Sequence, residues 1–243
     1  MRVVTWNCCK ALHEKWAPVA GWNLDILIVQ EAACPEVLRA KGVPLPDEVQ
    51  WVGSDKNSGL LVVAFGDYRL RVAETYFAGL HWVLPLVVSG PETFTLLAVC
   101  DMYTMTTQGD PDAAASDALT VALSRYQELF ARGDVVLAGD LNNNVVDDLE
   151  RGTRNFRPTV DALTGLGYVS AYHAHRDEEH GHETAPTHYN LRREHFPLHI
   201  DYCFVPADWR IDDLYIGGYE EWVSPAAKWG SDHVPLIVDV GPR

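Results

Sequence analysis

The chain has 243 residues, 47% of them hydrophobic, and a formal net charge of −15. That is enough apolar material for one large domain over residues 1–243, and no linker interrupts it. Its longest strongly apolar stretch, residues 80–88, contains His81 and Pro85 and falls far short of the roughly 20 residues that span a bilayer. With 19 Lys and Arg against 34 Asp and Glu, the composition argues against a tight, processive grip on long duplexes, which basic residues drive by neutralising phosphates. A short, single-stranded or small phosphorylated substrate fits better, and a bound divalent cation would invert the potential of an acidic cleft.

Five cysteines, Cys8, Cys9, Cys34, Cys100 and Cys203, are an odd number. Three of them sit in or beside apolar runs, which suggests buried free thiols and a reducing compartment. The first six residues contain no h-region and no small-residue cleavage site. A cytoplasmic monomer is expected.

Taken in order, residues 2–6 read as a buried strand and 10–20 as a short helix with Leu12, Trp16 and Val19 at helical spacing. Asp25 to Glu31 is a strand ending on an acid. Pro35 suits the first turn of a helix running to about Lys41. Residues 49–53, 59–65, 68–73, 82–88 and 93–100 read as successive strands separated by Gly, Asp or Pro.

Residues 112–131 form the longest helix candidate, with Leu119, Ala122, Leu123, Tyr126, Leu129 and Phe130 on one face. The run Val135 to Ala138 ends in Gly139-Asp140-Leu141-Asn142. A polar stretch comes next, in which Arg151, Arg154 and Arg157 recur every three residues, either a phosphate-recognition rim or a solvated helix face. Residues 159–166 read as a helix ended by Gly167. The segment 172–199 lacks periodicity and holds seven of the ten histidines, as functional loops do. Strands are expected at 199–205, 211–216 and 234–240.

Chemistry gathers where apolar runs stop. Asn7, Glu31, Asp140 with Asn142, Asp201, and Asp232 with His233 lie at five strand ends, the edge where ligands of α/β sheets collect. Each has a bland reading. Glu31 alone is a strand-terminal acid facing water or capping a helix, and Gly-Asp-x-Asn is ordinary turn chemistry. Ser231-Asp232 alone is a turn, and a lone histidine before a strand is commonly a satisfied core or surface residue. The set is what changes the reading, because independent turns rarely place such groups at five strand ends. Asp201 could pair with His233, fixing its tautomer as an orienting carboxylate does. Glu31 suits a hard divalent ion that keeps several waters.

In this order and spacing, Thr5-Trp6-Asn7, Val29-Gln30-Glu31, Gly139-Asp140-Leu141-Asn142, His199-Ile200-Asp201-Tyr202 and Ser231-Asp232-His233 resemble the endonuclease/exonuclease/phosphatase superfamily over nearly the whole chain. The texture Pro186-Thr187-His188-Tyr189 is similar to that of its short bacterial members. The resemblance implies an α+β, four-layer sandwich of two packed mixed β-sheets flanked by helices, the DNase I-like fold. It also implies hydrolysis of a phosphate ester with Mg²⁺ or Mn²⁺.

By the same resemblance Asn7 and Glu31 lie at the metal with Asp232 near it. Asp140 aims the attacking water, Asn142 and His233 hold phosphate oxygens, and Asp201 stands behind His233. The chain departs from the pattern of abasic-site enzymes at Cys9, Cys100 and Leu198. At Cys100 the family commonly has a phosphate-touching His or Tyr, for which His188, Asp101 and Tyr103 are conceivable substitutes. The implied activity is a nuclease on short or single-stranded DNA or RNA. The alternatives are a phosphomonoesterase on a small metabolite or lipid headgroup, or a catalytically weakened binding protein of the same fold. The histidine-rich segment could hold a transition metal through His173/His175 and His180/His182, or be a solvated loop.

Overall fold

A computed structural model of the protein describes residues 1–80, 82–101, 118–146 and 156–243. Two six-stranded mixed sheets pack face to face. The first contains β1 (Arg2–Asn7), β2 (Ile26–Ala32), β3 (Val49–Asp55), β4 (Ser58–Ala64), β13 (Arg210–Ile216) and β14 (Leu236–Gly241), in the order β13-β14-β1-β2-β4-β3. The second contains β5 (Arg69–Val72), β6 (Val83–Ser89), β7 (Phe94–Cys100), β8 (Val135–Asp140), β9 (Tyr168–Ser170) and β12 (Asp201–Pro206), in the order β5-β6-β7-β8-β12-β9. A two-stranded ribbon of β10 (His188–Tyr189) and β11 (Pro197–Leu198) stands apart from both.

The central strands read as unbroken apolar runs because both of their faces are covered. Val3, Ile26, Ile28, Leu96, Ala98, Val136 and Ala138 point into the core between the sheets. Their neighbours Val4, Leu27 and Val29 point outward on the first sheet. There they meet α1 (Trp16–Val19), α2 (Pro35–Ala40) and α7 (Tyr219–Trp222), which contribute Val19, Leu38 and Trp222. On the second sheet Leu97, Val99, Val135 and Leu137 are covered by α3 (Ala118–Arg125), α4 (Gln127–Phe130) and α5 (Phe156–Gly165). The result is the four-layer sandwich that the family resemblance implied. No helix of the described residues is long and apolar enough to cross a membrane.

Three expectations change. Residues 10–20 do not form one helix. Cys9, Lys10 and Ala11 all lie in the left-handed region, with φ of 48°, 64° and 50°, from which a right-handed helix cannot start. Pro18 has no N–H for the Glu14 carbonyl, so the 3₁₀ turn at Leu12–Glu14 cannot run on as one α-helix and α1 is a separate single turn. The long helix predicted for 112–131 is described only from Ala118 and breaks at Tyr126 (φ −100°, ψ 18°) into α3 and α4, while its predicted apolar face is buried throughout. The segment 172–199 is structured: α6 (Ala171–Arg176) opens it and the β10–β11 ribbon closes it. Its chemistry is long-range, which local periodicity does not register.

That segment also carries a pH-dependent contribution to stability. His199 is buried against the Tyr172 and Tyr202 rings, at centroid distances of 4.5 and 4.9 Å. Burial pushes its imidazole down from the usual 6.5 to about 4. The unfolded chain therefore binds the proton first, so the stabilisation is present above pH 6.5 and is lost as pH falls toward 4. Each pH unit in that window costs about 1.4 kcal/mol. Urea denaturation of chelator-treated protein from pH 7 to 4 should show this slope. It should be shallower by about that amount in His199→Asn, which keeps a donor for the Ala185 carbonyl that Nδ1 meets at 2.8 Å. Parallel slopes would rule the assignment out.

Candidate active site

Sheet register brings the predicted strand ends together at one edge of the sandwich. β1 and β2 run parallel with Asn7 opposite Gln30. β8 and β12 run antiparallel with Asp140 opposite Asp201. Across the two sheets, Asn7 Nδ2 donates to Asp140 Oδ2 at 3.0 Å and to Glu31 Oε1 at 3.3 Å. Its own Oδ1 accepts from the Cys9 backbone N–H at 3.0 Å, which fixes the amide with its NH₂ toward the two carboxylates. Glu31 reaches this point because β2 is irregular between Val29 and Ala32 and Glu31 takes φ 59°. A bulge of this kind re-aims a side chain at some cost in backbone strain.

Asp140 is almost fully buried, and its Oδ1 accepts from the Asn142 backbone N–H at 2.9 Å. Asn142 itself sits at φ 50°, which an Asn tolerates better than most residues. His233 lies between two acids. Its Nδ1 meets Asp201 Oδ2 at 2.8 Å, and its Nε2 is 3.8 Å from Asp140 Oδ2. Burial alone would discharge this imidazole, but Asp201 and then Asp140 overcome it and push it up to about 10. Burial pushes the Asp140 carboxyl up to about 6, with His233 opposing the shift. At neutral pH the arrangement is therefore a carboxylate of raised basicity beside an imidazolium. Asp201 is fully buried, and an unpaired charge there would be strongly destabilising, so the imidazolium also holds Asp201 in place.

The supporting contacts come from residues with no role of their own in the sequence reading, although Trp6, Thr187 and Ser231 lie within its motifs. Thr187 Oγ1 accepts from the backbone N–H groups of both Ile200 and Asp201 at 3.0 Å. Ser231 Oγ donates to the Asn7 carbonyl at 2.7 Å and accepts from the His233 N–H at 3.1 Å. Trp6 Nε1 donates to the His233 carbonyl at 3.2 Å. Its ring packs edge-on to Trp222 at 5.2 Å and Trp22 at 5.9 Å. Lys15, nearly buried, donates to the Cys8 and Gly230 carbonyls and ties the left-handed turn to the segment before Ser231. Only the runs Thr187-His188 and Ser231-Asp232-His233 carry a local hint of these roles, since hydroxyl side chains commonly bond nearby backbone.

His188 stands against His233, with ring centroids 4.5 Å apart and an antiparallel bridge between the two residues. Its Nε2 lies 4.0 Å from Asp232 Oδ2. Burial, and then the charge on His233, bring its imidazole down to about 4, so it stays neutral. Leu198 is paired directly opposite His188. Cys100 lies beside Asp140 in the parallel β7–β8 pair, and burial together with the nearby acids raises its thiol well above the usual range. Cys9 Sγ is 3.9 Å from Arg192 Nη2. The Asp101 N–H donates to the Asp140 carbonyl at 2.8 Å. Tyr103, Arg151 and Arg154 lie outside the described residues. Arg157 lies in the first turn of α5 and donates to the His180 carbonyl at 3.1 Å.

No protein-family model matches the sequence, and neither does any curated protein. Solved structures do match over the whole length. The catalytic domain of Xenopus laevis APE2 superposes with a TM-score of 0.69 at 13% identity, covering 99% of this chain and 91% of that one. NExo, a 3′ phosphatase from Neisseria solved with a product DNA hairpin, gives 0.64 at 18% identity and covers 99% of both chains. An endonuclease/exonuclease/phosphatase protein from Beutenbergia cavernae gives 0.59 at 16% identity, covering 99% of this chain and 71% of that one. With its two mixed sheets, flanking helices and full-length superposition, the chain has the DNase I-like fold of the endonuclease/exonuclease/phosphatase proteins.

Proposed function

We propose that the protein is a divalent-metal-dependent phosphoester hydrolase, a nuclease acting on the phosphodiester bonds of short or single-stranded DNA or RNA. The observation that carries this reading is the Asp140–His233–Asp201 arrangement beside Glu31 and Asn7. Asp140, ionised but basic, orients a water and accepts its proton. His233, charged and held by Asp201, donates from Nε2 to a non-bridging phosphoryl oxygen as negative charge grows there. Asn142 and the neutral His188 bind further phosphate oxygens. Asn7 spaces Asp140 from Glu31 through its amide, so that the two acids remain separate in role.

The donor chemistry distinguishes where a hard cation belongs. Asp140, Asp201 and His233 each offer a ligand atom within 4.8 Å of the others. An imidazolium cannot ligate, however, and Mg²⁺ and Mn²⁺ prefer oxygen. Glu31, whose Oε1 accepts from the Asn7 amide at 3.3 Å, fits such an ion as an oxygen ligand, and Asp232, 4.0 Å from His188 Nε2, is proposed as the second acid near it. Bound there, the ion supplies Lewis-acid neutralisation of the phosphoryl oxygens.

A labelled single-stranded oligonucleotide panel, run with Mg²⁺, Mn²⁺ and chelator, tests the reading. Cleavage that chelator abolishes is the expected result, and intact DNA and RNA under all conditions would refute the nuclease. The charge of −15 favours one second reading, a phosphomonoesterase on a small phosphorylated molecule. Release of inorganic phosphate from small monoesters, without oligonucleotide cleavage, would establish that reading instead.

A further inference from the structure

We propose that His173, His180 and Glu183 bind one Zn²⁺ ion at a site separate from the hydrolytic centre, where it staples helix α6 to the segment that leads into β10. One donor atom from each of the three residues lies within 4.8 Å of the other two. The chain turns back on itself after α6 through Asp177 (φ 56°) and Gly181 (φ 94°), which returns His180 and Glu183 to His173. Sequence spacing pairs His173 with His175 and His180 with His182. Helical and turn geometry instead leaves His175 and His182 exposed and turns His173 and His180 inward.

The orientation of the donors favours an ion over a simple hydrogen-bonded cluster. His173 Nδ1 contacts Ser170 Oγ at 2.8 Å, which aims Nε2 at Glu183 Oε1, 3.0 Å away. An outer hydrogen bond on the second ring nitrogen is how metal-bound imidazoles are commonly oriented. Glu183 Oε1 is itself steadied by the Gly181 N–H at 3.0 Å. His180 Nδ1, by contrast, is buried with no hydrogen-bond partner, and so is Nε2 of His199, whose ring centroid is 5.8 Å from that of His173. Buried imidazole nitrogens without partners are costly.

The His173 and His180 rings stack at 3.5 Å and 19°, so their lone pairs run side by side. A shared ion requires His180 to tilt about its side-chain torsions, and no hydrogen bond to Nδ1 resists that tilt. Two imidazoles and one carboxylate, with water in the fourth position, suit Zn²⁺ and discriminate against Mg²⁺. The staple would order the residues that precede Thr187 and His188, and so support the hydrolytic edge without touching substrate.

The test uses the full chain, stripped by chelator, reloaded with Zn²⁺ alone and freed of weakly held ion by gel filtration. Mass-spectrometric metal analysis should find one ion per chain in the wild type and in Glu31→Gln. The His180→Ala and Glu183→Gln variants should retain at least about tenfold less. The wild-type melting temperature should rise by about 5–10 °C at a hundredfold excess of Zn²⁺ over Kd.

If the variants misfold by circular dichroism, the wild type decides. Zn²⁺ should shift the side-chain nitrogen resonances of His173 and His180 while leaving the exposed His195 in place. No ion retained by wild type, equal retention in His180→Ala, loss of the ion in Glu31→Gln, or unshifted His173 and His180 resonances would each overturn the proposal.

Discussion

Asp140→Asn is expected to lower the single-turnover rate of metal-supported phosphoester cleavage by about 10²–10⁴-fold, the usual contribution of a positioned general base. The substitution preserves shape and keeps an oxygen for the Asn142 N–H. It removes the carboxylate that is proposed to accept a proton from water and whose Oδ2 lies 3.8 Å from His233 Nε2. Fold should survive, because the buried Asp201–His233 pair stays intact at 2.8 Å. Wild-type activity should also decline on the acid side as Asp140, pushed up to about 6 by burial, takes on a proton and ceases to be a base. Rapid-quench assays with matched melting curves would decide the matter. Turnover within a few-fold of wild type would discard Asp140 as the base.

Gly139→Ala is expected to cost more than about 4 kcal/mol, enough to abolish soluble expression. A Cβ at this position would lie 1.8 Å from the Val99 carbonyl oxygen and 2.7 Å from its carbon. Both obstacles are backbone of the adjacent parallel strand, with Val99 and Gly139 in register, so neither can swing aside. At φ 151° the conformation also disfavours any side chain. Gly167→Ala is the comparison. It has φ 86° but nothing within 4 Å of its Cβ, so it should show only the cost of backbone strain, about 1–3 kcal/mol. Soluble yields of the two variants expressed side by side, with urea midpoints for whatever is soluble, test the contrast. A Gly139→Ala midpoint near that of Gly167→Ala would mean that the β7–β8 spacing yields to a methyl group. The glycine of Gly139-Asp140-Leu141-Asn142 thus serves close strand approach, and in doing so it sets where Asp140 emerges.

Much of this architecture is local and could be read along the chain. The apolar runs at 2–7, 26–32, 94–100 and 135–140 are strands covered on both faces, and Asn7, Glu31 and Asp140 at their ends mark the polar edge. Pro35 starts a helix and Gly167 ends one, for reasons of backbone geometry that hold in any context. Other features had no local signature. Glu31 reads as the next residue of a strand, yet a bulge turns it toward Asn7. Lys10 to Ala20 carries a helical pattern that left-handed residues and Pro18 overrule.

By itself, then, the sequence determined the strands and their polar ends, because periodicity and backbone restriction act over a few residues, while the layered class of the fold followed from the resemblance of the ordered motifs to a family. Only the tertiary structure decided that Thr187 and Ser231 hold Asp201 and His233 in place, that Asn7 bridges Asp140 and Glu31, and that His173 meets His180 rather than His175. Those contacts depend on strand order, register and turn handedness, which join parts of the chain that carry no mark of one another.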